Sequence, residues 1–130
     1  MVNMLKDGMS CTDITAPTYP PQLVHGEAVD STTIKVTWNP PPAEHQNGAI
    51  AGYRVFYTEA AGNQGIDDAS VVLASVPSSE TTYAVRGLRK WTLYNVWVLA
   101  YTLKGDGPHS DVIVVQTAED GELFYIIIIF

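Results

Sequence analysis

Positive charge is scarce in this sequence. Its 130 residues carry seven Lys and Arg against fourteen Asp and Glu, a formal net charge of −7 at pH 7. The only basic cluster is Arg86, Arg89 and Lys90. Nucleic acids and anionic membrane surfaces are recognised by extended basic stripes, so neither is an expected partner. Cysteine is scarcer still. Cys11 stands alone, which excludes an internal disulfide and any zinc site built from paired cysteines. The compartment stays open, because an oxidising environment permits disulfides without requiring them. Long apolar runs are missing too: nothing approaches the roughly 20 residues that a membrane-spanning helix needs. Met1 to Thr15 is broken by Lys6, Asp7 and Asp13 and shows no secretion-signal core. Residues 1–16 are therefore expected to be a flexible leader or linker. Helical periodicity and the GxSxG, P-loop, HExxH and dinucleotide-binding signatures are all absent.

What is present is apolar and alternating. Apolar residues make up 46% of the chain and mean hydropathy is +0.05, which argues against disorder. A chain this long hides roughly two-thirds of its unfolded surface, enough for one core without metal or disulfides. Ile34, Val36 and Trp38 alternate with Lys35 and Thr37, the period of a half-buried strand. Pro40, Pro41 and Pro42 end that strand, and Asn47-Gly48 marks a turn. Tyr53, Val55 and Tyr57 alternate next, followed by Val71 to Val76 and the short pair Tyr83 and Val85. Tyr94, Val96, Val98 and Ala100 form the longest strand. A turn at Gly105 to Pro108 then precedes Val112 to Thr117, and Gln22 to Val29 opens the series. Seven short strands with frequent turns predict an all-β, seven-stranded antiparallel β-sandwich over residues 17–120. Residues 121–130 end in Leu123–Phe130, which is wholly apolar. Three readings stay open for this tail: the start of a membrane segment, an added β segment, or a non-native extension.

The pattern resembles the immunoglobulin-like fibronectin type III domain from Pro20 to Glu119. Pro20-Pro21 precedes the first strand, Trp38 lies in the second, and Gly52, Tyr53, Val55 and Tyr57 lie in the third. Leu88, Thr92 and Tyr94 lead into Val96, Val98 and Ala100, and Gly105, Gly107, Pro108 and Ser110 precede Thr117-Ala118-Glu119. Lys90 stands where the family often has proline, and the turn before the last strand is short. The resemblance implies a structural core of Trp38, Tyr53, Val55, Leu88, Tyr94 and Val96. It also implies a tyrosine corner, with the Tyr94 hydroxyl bonded to backbone near Leu88.

Few side chains suggest chemistry. In this fold Pro40–Ala49 and Lys104–Pro108 share one pole, which could bring His45 and His109 together with Glu44 and Asp106. A metal or catalytic site needs a third ligand or an oriented nucleophile, and Ser110 is on the opposite strand face from His109. Solvated loop histidines are the simpler reading, for His25 as well. Asp67-Asp68 lacks the further carboxylates of a calcium loop. Lys104-Gly105-Asp106 resembles a variant integrin-binding tripeptide, but Gly105-Asp106-Gly107-Pro108 is also ordinary turn chemistry. No enzyme activity, cofactor, metal or small-molecule substrate is expected.

The outward face says more. If Tyr94, Val96, Val98 and Ala100 point inward, then Trp97, Leu99 and Tyr101 point outward, joined by Phe56 from the neighbouring strand. Ile113 and Val115 are expected to extend the same face. Such a patch is the size of an interaction site unless the tail or an adjoining module covers it. The resemblance implies a non-catalytic spacer and protein-contact module of an extracellular adhesion, receptor or matrix protein. Its partners would be another protein, neighbouring modules or a second copy, and any membrane link would run through the parent protein. An intracellular scaffold, or an accessory domain of an enzyme, is the alternative. The absence of Asn-x-Ser/Thr sites suits the scaffold, and the lack of WSxWS separates the chain from cytokine-receptor modules.

Overall fold

The computed structural model describes residues 14–60 and 70–119. Cys11, the Asp67-Asp68 loop and the apolar tail lie outside them. Among the described residues, eight strands form two sheets. β1 (Gln22–Asp30), β2 (Thr33–Asn39) and β5 (Thr82–Val85) make the first, in the order β1-β2-β5. β3 (Gly52–Glu59), β4 (Val72–Pro77), β6 (Leu93–Thr102), β7 (Gly105–His109) and β8 (Ile113–Gln116) make the second. All pairings are antiparallel, and both β7 and β8 lie against β6.

The period-two alternation has the physical consequence it should. Ile34, Val36 and Trp38 from one sheet meet Tyr53, Val55, Val96, Val98 and Ala100 from the other in a single buried cluster. Tyr94, Leu88, Val76, Val85 and Val115 complete it. The Trp38 and Tyr53 rings pack edge to face at 5.3 Å, the geometry their quadrupoles favour. The Tyr94 hydroxyl accepts the Arg89 N–H at 2.9 Å, tying the β5–β6 connection to the core.

The last strand departs from expectation in two ways. It is split, and the split explains the eighth strand. Gly105–His109 is not a turn but a strand paired to β6, with Thr102 opposite Gly105 and the turn at Leu103-Lys104. Gly105 takes φ +147°, which glycine tolerates, and Pro108 is accommodated because β7 is an edge. At Ser110 the ladder breaks. The Ser110 N–H donates to the Val98 carbonyl, while the Ser110 hydroxyl takes the place of a backbone acceptor for the Val98 N–H at 3.0 Å. Beyond the break the parity is reset. Val115 is core and Ile113 packs against it, so both face inward rather than outward, and Val114 takes the exposed position. β1 approaches closely here: a Cβ on Gly26 would sit 2.8 Å from Val115 Cγ2.

Residues 14–16, expected in the leader, are bonded to the sandwich. The Thr15 N–H donates to Asn47 O at 2.9 Å, Thr102 Oγ1 donates to Thr15 O at 2.8 Å, and the Asn47 amide reaches Ala16 O at 3.1 Å. Gly107 leaves room for this segment, since a Cβ there would meet Pro17 Cβ at 2.8 Å and Pro17 O at 2.9 Å. Gly107→Ala should therefore push the segment off and destabilise the domain by about 1–3 kcal/mol, the usual penalty for overpacking. Denaturant melts check this, together with the Thr15 amide exchange rate. Unchanged values for both would show that the segment contributes nothing.

Candidate interaction face

The outer face of the second sheet is built across three strands. Register places Phe56 opposite Leu73 on one side and Trp97 on the other, and Arg54 opposite Leu99. The Phe56 and Trp97 rings stack with centroids 5.5 Å apart and planes at 4°. His109 tilts against the far side of Trp97 at 6.4 Å. Arg54 reaches along the sheet until its guanidinium lies 4.1 Å from the centre of the Tyr101 ring and 3.2 Å from Asp106. A guanidinium gains on both counts there, from the ring face and from the carboxylate.

All four expected residues, Phe56, Trp97, Leu99 and Tyr101, share this face. They do not form an open apolar patch, however. Trp97 is 9% and Leu99 7% exposed, while Phe56 and Tyr101 are half-buried. The reason is lateral: large side chains on neighbouring strands stack and shield one another, and the arginine stem covers apolar surface while its head stays wet. The apolar groups left in solvent form a fringe, Leu73 on one edge and Leu93 and Val114 on the other. Leu93 follows from the strand parity. Val114 does not, because the break at Ser110 hides its direction.

The other candidates are dispersed. His45 stacks on Tyr19 at 3.9 Å, His109 Nδ1 lies 2.9 Å from Ser110 O, and His25 lies 3.6 Å from Glu27. Among the described residues no three His, Cys, Asp or Glu side chains are grouped to hold a metal. Asp106 of the Lys104-Gly105-Asp106 tripeptide is engaged by Arg54. No helix among the described residues is long and apolar enough to cross a membrane.

The family model for the fibronectin type III domain matches residues 19–116. The chain belongs to the fibronectin type III family. Receptor-type tyrosine-protein phosphatase F of Rattus norvegicus is 40% identical over 111 residues, 85% of this chain and 6% of that protein. Protein sidekick-2 of Mus musculus is 40% identical over 80% of this chain and 5% of its own length. The cell adhesion molecule DSCAML1 of Mus musculus is 33% identical over 91% and 6%. The chain thus spans only a small fraction of these relatives, and its likeness to the phosphatase lies in a fibronectin type III region. Among solved structures, the FN5 domain of Drosophila Lar is 32% identical with a TM-score of 0.62, covering 78% of this chain and 97% of that one. The third fibronectin III domain of human KIAA0343 is 28% identical with a TM-score of 0.71, covering 86% and 90%. The fibronectin type III module described here has two sheets, and its last strand is divided at Ser110.

Proposed function

We propose that this fibronectin type III domain is a non-catalytic spacer and protein-contact module in the extracellular part of an adhesion or receptor protein. The observation that carries this is where the domain's two ends attach. The leading segment is bonded at Asn47, His45 and Thr102. The trailing segment is bonded at the opposite pole, with the Thr117 N–H donating to Thr92 O, the Thr117 hydroxyl to Arg89 O, and the Ala118 N–H to Asp30 O. β6 runs between Thr92 and Thr102, so the poles stand about 33 Å apart at strand rise. A domain tied at both ends this way passes load and direction from one neighbour to the next. The cell-surface relatives support the same reading.

The self-shielded face around Phe56 and Trp97 acts as a stiff platform, and its fringe makes the contacts. The hairpin tip at Leu103 is 84% exposed and suits an inserted epitope. In cells expressing the parent protein with an epitope at Leu103-Lys104, antibody should label intact, unpermeabilised cells. Labelling only after permeabilisation would replace this reading with the intracellular scaffold.

A further inference from the structure

Two sheet edges flank an open cleft of about 340 Å³. Leu23 and Val24 of β1 line one wall; His109, Ser110, Asp111 and Ile113, around the break between β7 and β8, line the other. Both edges leave their ladders here. β1 is paired to β2 at Gln22 and again at His25, with a register shift in between, and β7 stops at His109. Farther along β1 the walls close, since a Cβ on Gly26 would lie 2.8 Å from Val115 and 3.1 Å from Ile113. Within the shift Leu23 takes φ +53°, a left-handed conformation ordinarily left to glycine. The residue is 78% exposed, so burial does not offset the strain. Strained backbone that the core does not require points to function.

The side-chain donors at this cleft are occupied by neighbouring backbone. The Ser110 hydroxyl donates to Asp111 O at 3.0 Å, and the Gln22 amide nitrogen to Pro20 O at 2.8 Å. His109 Nδ1 lies 2.9 Å from Ser110 O, a carbonyl that only accepts, so this nitrogen carries the ring hydrogen. In the neutral imidazole Nε2 is then an acceptor. What remains is a set of acceptors: Nε2, the Gln22 amide oxygen and the Asp111 carboxylate. Asp111 joins no ion pair among the described residues, and no lysine or arginine lines the cleft.

We propose that this cleft takes an arginine side chain from an extended, otherwise apolar segment of a partner protein. A guanidinium has only donors to offer, which matches the unspent groups, and it pairs with a carboxylate through parallel hydrogen bonds. Its aliphatic stem suits the wall of Leu23, Val24 and Ile113. The volume is near the lower end for ligand clefts and fits side chains of a peptide better than a cofactor. A net charge of −7 draws in a basic partner at long range. His109 also tilts against Trp97, so the cleft adjoins the platform described above. The proposal rests on the protein-contact reading and names the partner's chemistry.

Amide chemical shifts of the full chain, titrated with the blocked tripeptide acetyl-Leu-Arg-Val-amide, test this. Leu23, Asp111 and Ile113 should shift saturably, and added salt should weaken the binding. Asp111→Asn, or citrulline in place of the peptide's arginine, should weaken it about fivefold, the worth of one partly exposed ion pair. Leu23→Asn relieves the backbone and removes apolar wall, so binding should weaken while the thermal midpoint holds or rises. Unchanged binding in either variant overturns the proposal. Equal binding of acetyl-Leu-Leu-Val-amide does so too, by making the cleft a purely apolar groove. So does the absence of shifts at about 10 mM peptide, where an affinity of about 1 mM would already fill most of the site. Shifts of the same amides with protein concentration alone would assign the cleft to a second copy and also overturn it. None of these outcomes alters the surface-labelling result, so the spacer reading stands or falls separately.

Discussion

Trp38→Ala should lower the unfolding free energy by about 3–5 kcal/mol, whereas Trp38→Phe should change it by less than about 1.5 kcal/mol. Trp38 is 3% exposed and packs edge-on to Tyr53 between the sheets. Alanine removes the ring, leaves a cavity, and forfeits an aromatic pair that is itself worth about 0.5–1.5 kcal/mol. Domains of this kind have total stabilities of roughly 5–15 kcal/mol, so the loss is a large share. Phenylalanine behaves differently because of one atom. Among the described residues the buried Trp38 indole N–H has no hydrogen-bond partner, and such a group costs about 1–3 kcal/mol to desolvate. Removing it offsets much of the lost ring volume. Urea melts with unchanged m-values measure both variants. If phenylalanine is as damaging as alanine, the buried N–H is not a liability and ring size alone governs the site.

Tyr94→Ala should cost a similar 3–5 kcal/mol, and Tyr94→Phe about 1–2 kcal/mol through the unpaired Arg89 N–H. The ring is 5% exposed, and its hydroxyl is the acceptor that holds the β5–β6 connection. Thr117 holds the same connection from the other side. Its hydroxyl donates to Arg89 O at 2.7 Å and accepts the Thr92 N–H at 2.9 Å. Arg89 thus has its N–H fixed by a β6 side chain and its carbonyl by the residue that follows β8. Tyr94→Phe and Thr117→Val should therefore be non-additive, with a coupling of about 0.5–3 kcal/mol. Faster exchange of the Arg89 amide in Tyr94→Phe would accompany the loss of stability. An unchanged rate would mean that the hydroxyl is not its acceptor. The consequence reaches the surface, since the same connection presents Arg89 and Trp91 beside the outgoing chain.

Much of this was legible in the residues. Alternation in Ile34–Trp38, Tyr53–Tyr57 and Tyr94–Ala100 assigns the inward set without reference to any neighbour, because a strand's side-chain period is fixed at two by its backbone. The same alternation puts Phe56, Trp97, Leu99 and Tyr101 on the other face. Their burial was not legible, because it depends on strand order: Phe56 shields Trp97, and Arg54 reaches Tyr101, only because β3 lies beside β6. Nor was it legible that Asp106 of the Lys104-Gly105-Asp106 turn is held by Arg54, fifty-two positions earlier in the chain.

The break at Ser110 marks the limit most clearly. A side-chain oxygen that replaces one backbone acceptor is enough to reset which residues face the core, and Ile113, Val114 and Val115 follow from it. The left-handed backbone at Trp91 is another such case, since no glycine announces it. Read alone, the residues establish the sandwich, its inward faces and its want of catalytic signatures, because these depend on local period and composition. Tertiary structure decided which outward side chains stay in solvent. That is a matter of neighbours, and the chain brings those together only by folding.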